Sequence, residues 1–146
     1  MKHTNISPHL EESFQEKEIN VVEVEPLELI HTVLEAGLDA KGSDCSVLDM
    51  REISDISDYY VVFSGRSDRH VQGICNKILA KLDEESIELH SVEGFDKGHW
   101  VLIDLYDVLI HIFYQPKREE YDLEGLWTRA KKLPLKDEAF IHHTVK

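Results

Sequence analysis

The residues best placed to do chemistry sit at one corner. Residues 59–74 read YYVVFSGRSDRHVQGI. An apolar run with strand character stops at Ser64-Gly65, passes Arg66-Ser67-Asp68 and becomes a helix. A strand, a small-residue turn and a helix N-terminus often cradle a phosphate, because the first N–H groups of a helix have no helical partner. The residue types here point elsewhere. A cradle normally carries more glycines and a lysine at helix entry, whereas Asp68 puts a carboxylate where the anion would go. Ser67 or Asp68 caps the helix by accepting hydrogen bonds from those N–H groups, and Asp68 complements the dipole. Gly65 supplies a turn conformation that other residues resist.

Grouped carboxylates are the next candidates, since a nucleotidyl-transferring enzyme needs two or three acids on one Mg²⁺. Asp104 and Asp107 are the nearest pair, but Asp104 is on a strand and Asp107 in the tight turn after it, so they do not share a centre. Asp55 and Asp58 flank a turn and read as turn caps. The nine histidines include His70, His90, His99 and His111, which are scattered without metal-ligand spacing. No nucleophile-elbow motif appears. Cys45 and Cys75 lie far apart and read as reduced, buried small hydrophobes. Neither metal nor cofactor is expected.

The elements that position these residues come from one domain's length of chain, 146 residues with 42% hydrophobic content. Its formal net charge of -13 repels bare nucleic acid and favours basic partners. No run approaches the roughly 20 apolar residues that span a membrane, and no signal or transit pattern is present. The expected compartment is the cytoplasm, and neither DNA nor membrane is an expected partner. Residues 1–25 read as an acidic, loosely ordered extension, 26–133 as the domain and 134–146 as a tail. Pro26 opens a helix with Leu27, Ile30, Val33, Leu34 and Leu38 on one stripe and Gly42 as terminator. Strands follow at Ser46–Met50 and Tyr59–Ser64, the second buried on both faces. Val71, Ile74, Cys75, Ile78, Leu79 and Leu82 keep helical spacing. A short strand at Leu89–Glu93 leads into the hairpin WVLIDLYDVLIHIFY. A last helix over PKREEYDLEGLWTRAKKL starts at Pro116 and is anchored by Tyr121, Leu123, Leu126 and Trp127. The sum is an α/β domain with a mixed five-stranded sheet packed with helices.

The hairpin carries a further expectation. Centring its turn on Tyr106-Asp107 sets Val101 opposite Ile112, Ile103 opposite Ile110 and Leu105 opposite Val108, an apolar face that packs on the helices. The other face pairs Trp100 with Phe113, Leu102 with His111 and Asp104 with Leu109. Aromatics mixed with a histidine and an aspartate suit a contact platform.

The segments SDISDYYVVFSGRSDRHVQGI, VEGFDKGHWVLIDLYDVLIHIF and REEYDLEGLW, in that order over Leu27–Leu133, resemble the ribosomal silencing factor (Iojap-like) family. The resemblance implies a non-enzymatic factor with a nucleotidyltransferase-like core that lacks the catalytic acids. It implies binding to ribosomal protein L14 of the large subunit, a block on joining of the small subunit, lower translation when nutrients are scarce, and often a homodimer. Matching positions include Asp58, Tyr59, Gly65, Ser67, Arg69, His70, Glu93, Gly94, Trp100, Asp104, Asp107, His111 and Phe113. Of these, Trp100, Asp104, His111, Phe113, Tyr59 and Glu93 are the expected partner-binding residues. Tyr106 departs from the glycine usual in the family's turn, and Glu120 from the aromatic usual before Tyr121. The competing reading is a divergent nucleotidyltransferase-like enzyme.

Overall fold

The computed structural model describes residues 24–122, 125 and 128–135. Helix α1 spans Pro26–Asp39, followed by strands β1 (Ser43–Asp49) and β2 (Tyr59–Gly65) and helix α2 (Asp68–Glu84). Strands β3 (Ser91–Glu93), β4 (Trp100–Asp104) and β5 (Val108–Tyr114) come next, then α3 (Gln115–Tyr121) and β6 (Lys131–Lys132). The strands form one mixed sheet in the order β3-β4-β5-β2-β1-β6. Strands β2 and β5 run parallel, and the other paired neighbours are antiparallel.

The mixed α/β sheet is the expected one, with six strands instead of five. The added strand lies inside the segment expected to be the last helix: Lys131 and Lys132 pair with Asp49 and Leu48. Helix α3 ends much earlier, because Asp122 turns into the left-handed region at φ 47. The expected anchors Leu123, Leu126 and Trp127 lie outside the described residues.

Helix α1 opens with Pro26, whose missing N–H costs nothing at that position. It buries Leu29, Ile30, Val33 and Leu34. Leu38, expected on the same stripe, is 51% exposed. Gly37 faces the sheet instead, since a Cβ there would lie 2.3 Å from the tip of the Phe63 ring. Room for that ring sets the helix phase. The left-handed reversal that ends the helix is at Lys41 (φ 70), one residue before the expected Gly42.

Helix α2 buries Val71, Ile74, Cys75, Ile78 and Leu82 as its spacing predicts. Strand β2 is buried at every residue, which its central place in a two-sided sheet requires. The hairpin has the predicted register, from Trp100 opposite Phe113 to Asp104 opposite Leu109. Val101, Ile103, Leu105, Val108, Ile110 and Ile112 join α1 and α2 in the main core. Each such side chain contributes about 1.5–3 kcal/mol on burial. Smaller clusters, of Leu48, Met50, Tyr60 and Leu109 and of Val62 and Phe113, occupy the other face.

Arg118 of α3 is buried against that second face. It donates from Nη1 to Ser64 Oγ at 2.8 Å and to the Asp44 carbonyl, and from Nη2 to Ser46 Oγ at 3.2 Å. One side chain thereby ties α3 to both β1 and β2.

Candidate functional site

The strand-to-helix corner uses its own donors. Ser67 Oγ accepts the His70 N–H at 3.0 Å and caps α2. Asp68, the first residue of the helix, accepts the Arg69 N–H on Oδ1 at 2.7 Å. The Arg66 N–H goes to His70 Nδ1 at 2.9 Å. That acceptor role places the neutral ring's proton on Nε2, which donates to the Ala40 carbonyl at 2.9 Å. The amides of residues 66, 69 and 70 are thus engaged by side chains, and a carboxylate stands among them. Gly65 serves a different purpose from the expected one. Its φ is not in the left-handed region, which glycine enters here at Gly94 and Gly98. What Gly65 provides is space, since a Cβ there would lie 2.9 Å from Val71 Cγ2 and 3.1 Å from the Val71 nitrogen.

Of the candidate turn carboxylates, Asp104 is engaged by the fold. Asp104 Oδ1 accepts the Tyr106 N–H at 2.8 Å, which holds the tight turn with Tyr106 at φ 74. Among the described residues, no three His, Cys, Asp or Glu side chains gather as a metal site. Burial pushes the Cys45 thiol up to about 12, against the pull of the Arg118 guanidinium. Burial also pushes Cys75 up to about 11. Burial thus disfavours the thiolate, the reactive form, at both positions.

The second face of the hairpin holds an aromatic stack. Trp100 lies over Phe113 with ring centroids 5.0 Å apart, and Tyr121 packs 4.9 Å from Trp100. Trp100 Nε1 donates to His111 Nδ1 at 3.1 Å, and Tyr60 lies 4.9 Å from the same imidazole. This arrangement divides the six expected contact residues. Phe113 and His111 are buried, beneath Trp100 and its neighbours, so they support the surface without forming it. Tyr59 is also buried, on the opposite, helix-covered face, with Arg51 over its ring at 5.4 Å. Asp104 is at the far end of the hairpin, engaged by its turn. Trp100 remains half-exposed and Glu93 exposed at the edge of the sheet.

Around Trp100 runs a groove of about 740 Å³, whose walls include Phe95, Lys97, His99, Trp100, Lys117 and Tyr121. Its outer wall is fixed by Gln72 of α2, whose Nε2 donates to the Phe95 and Asp96 carbonyls at 2.8 and 3.1 Å. Rings with a few polar groups at the rim can anchor and orient a protein partner. Phe95, Lys97 and Lys117 are not marked by any sequence period, since a loop and a short helix bring them to the groove. Arg118 had a signal: Ser46 and Ser64 are hydroxyls on buried strands and need a partner.

Comparison with known proteins gives a consistent result. The family model described as "Ribosomal silencing factor during starvation" matches residues 23–145. Ribosomal silencing factor RsfS of Bacillus subtilis is 42% identical over 99 residues, covering 68% of this chain and 81% of that protein. A mouse protein named "Mitochondrial assembly of ribosomal large subunit protein 1" is 35% identical over 75 residues, covering 49% of this chain and 33% of that protein. A crystal structure of a Chromobacterium violaceum protein superposes with a TM-score of 0.70 at 33% identity, covering 72% of this chain and 88% of that one. A crystal structure from Bacillus halodurans gives 0.67 at 34% identity, covering 74% and 98%.

Proposed function

Because the chain belongs to the ribosomal silencing factor family, we propose that it binds ribosomal protein L14 of the large ribosomal subunit and keeps the small subunit from joining. In this reading it lowers translation under nutrient limitation and acts in the cytoplasm as a non-enzymatic factor. The observation that carries the proposal is the family match over nearly the whole chain. The site geometry supports it: the corner amides and the turn carboxylate that a nucleotidyl-transferring enzyme would use are engaged in holding the fold. In this reading the core is a nucleotidyltransferase-like scaffold, and among the described residues no three His, Cys, Asp or Glu gather as a metal site. Steric exclusion needs no catalytic group. Trp100, with Tyr121 beside it at the groove, is the anchor we assign to the partner.

Gradient sedimentation tests the reading. Purified protein mixed with ribosomes at low Mg²⁺ should travel with free large subunits and be missing from the small-subunit and joined-ribosome peaks. Adding it before subunits are mixed should reduce the joined peak. Equal recovery on joined ribosomes would overturn the anti-joining mechanism.

A further inference from the structure

Three turns meet at the end of the sheet away from Trp100: residues 52–58, residues 86–90 and residues 105–107. Ser57 Oγ donates to the Tyr106 carbonyl at 3.2 Å. The amides of Asp58 and Tyr59 reach the Asp107 carbonyl at 2.9 and 3.1 Å. The His90 N–H donates to the Asp104 carbonyl at 2.9 Å, and its ring lies 5.1 Å from that of Tyr106. The three turns therefore form one surface.

That surface is apolar where loops are usually polar. Ile56 is 75% exposed and Leu89 39% exposed, two of the four large hydrophobic side chains that stand open among the described residues. Tyr106, bonded to one of these turns and stacked on the other, holds φ 74. A left-handed conformation costs a residue with a Cβ about 1–2 kcal/mol, and such strain persists where the surroundings impose it, commonly at functional sites. The charge around these side chains is mainly negative, with Arg51 at the border beside Asp58 and Glu52. Glu52, Asp55, Asp58, Glu88, Asp104 and Asp107 fall on the turns and their flanks, with no lysine or arginine among residues 52–58, 86–90 and 104–108.

We propose that this tip docks on a basic protein surface of the large ribosomal subunit, at a contact separate from the Trp100 groove. Ile56, Leu89 and Tyr106 enter an apolar recess, and the carboxylates around them face lysines and arginines of the partner. RNA is disfavoured because carboxylates dominate the tip and Arg51 at its border is held by Asp49. A second copy is disfavoured because it would set six carboxylates against six. The inference rests on the proposed binding to the large subunit, and the experiment separates the two.

The affinity of purified large subunits is measured for the wild-type chain, for Ile56→Ser, for Leu89→Ser and for the double variant. Melting temperatures are recorded alongside, and a photoreactive amino acid at position 56 identifies the neighbour. The variants, altered only at open side chains, should melt like the wild type. The double variant should bind about tenfold or more weakly, and the photoproduct should be a ribosomal protein. Equal affinity of wild type and double variant overturns the tip and leaves the proposed function standing. A photoproduct with RNA or with a second copy also overturns it. A wild-type chain that does not bind large subunits overturns the proposed function, and the tip assignment with it.

Discussion

Arg118 shows how much a single residue can hold in this fold. Its guanidinium is buried and donates to Ser46, Ser64 and the Asp44 carbonyl, so it joins a seven-residue helix to the two strands beneath. Hydrogen bonds from a charged donor contribute about 1.5–3 kcal/mol. Arg118→Ala should therefore cost about 2–4 kcal/mol of folding stability, read as a lower urea midpoint with an unchanged slope. Arg118→Lys should recover little, because an ammonium cannot reproduce the planar fork that spans two hydroxyls. A lysine variant as stable as wild type would mean that charge alone suffices. In the sequence this role is only half legible. Ser46 and Ser64 announce a buried need for a donor, but no period in PKREEY separates Arg118 from Lys117, which lies half-buried and pairs with Glu120. The same limit applies at Gly65, where a small residue is plain from the sequence but its reason, the approach of Val71, depends on how α2 leaves the sheet.

At the level of elements, the hairpin was the most legible part. Strict alternation about Tyr106-Asp107 fixes which residues face each other, and the register follows it from Trp100 to Asp104. What alternation cannot say is which part of the second face is later covered. Phe113 and His111 are closed off by Trp100, Tyr60 and Tyr121, and Tyr121 reaches them only because α3 starts directly from the end of β5. The end of α3 and the two-residue β6 were hidden for a related reason: helical spacing continues past Tyr121, while the left-handed Asp122 breaks it. The two hairpin faces should respond differently to substitution. Ile110→Ala removes a fully buried side chain of the main core and should cost roughly 2–5 kcal/mol of stability, with large-subunit affinity of the folded protein unchanged. Trp100→Phe keeps a ring over Phe113 but loses the indole N–H that His111 Nδ1 accepts. It should cost about 1–2 kcal/mol of stability and weaken large-subunit binding as well. Thermal melts paired with affinity measurements on both variants check this, and a Trp100→Phe chain that melts lower yet binds normally would place the partner surface away from the groove.

Across the whole molecule, the formal charge of -13 is unevenly distributed, and its distribution matters more than its sum. Six acids without a lysine or arginine occupy the tip formed by residues 52–58, 86–90 and 104–108. Cations gather at its border, in the cleft that Arg51, Arg129 and Lys131 share with Asp49 and the tip's Glu52. Arg51 is already committed there, held by the Asp49 carboxylate at 2.8 and 3.0 Å. Such a molecule approaches a basic protein surface with one end leading. Long-range attraction acts on the encounter, where partners are separated by solvent and salt screens them over about 8–10 Å. The bound complex is held by short-range contacts that salt affects less. The association rate with large subunits should therefore fall by about tenfold or more as salt rises from about 0.05 to about 0.5 M, with a much smaller change in the dissociation rate. Neutralising the tip with Asp55→Asn, Glu88→Gln and Asp107→Asn should flatten that salt dependence and slow association at low salt, while the dissociation rate stays near the wild-type value. Stopped-flow association at several salt concentrations separates the cases. A triple variant with the wild-type slope would show that the net charge of the chain, and not its acidic tip, steers the encounter.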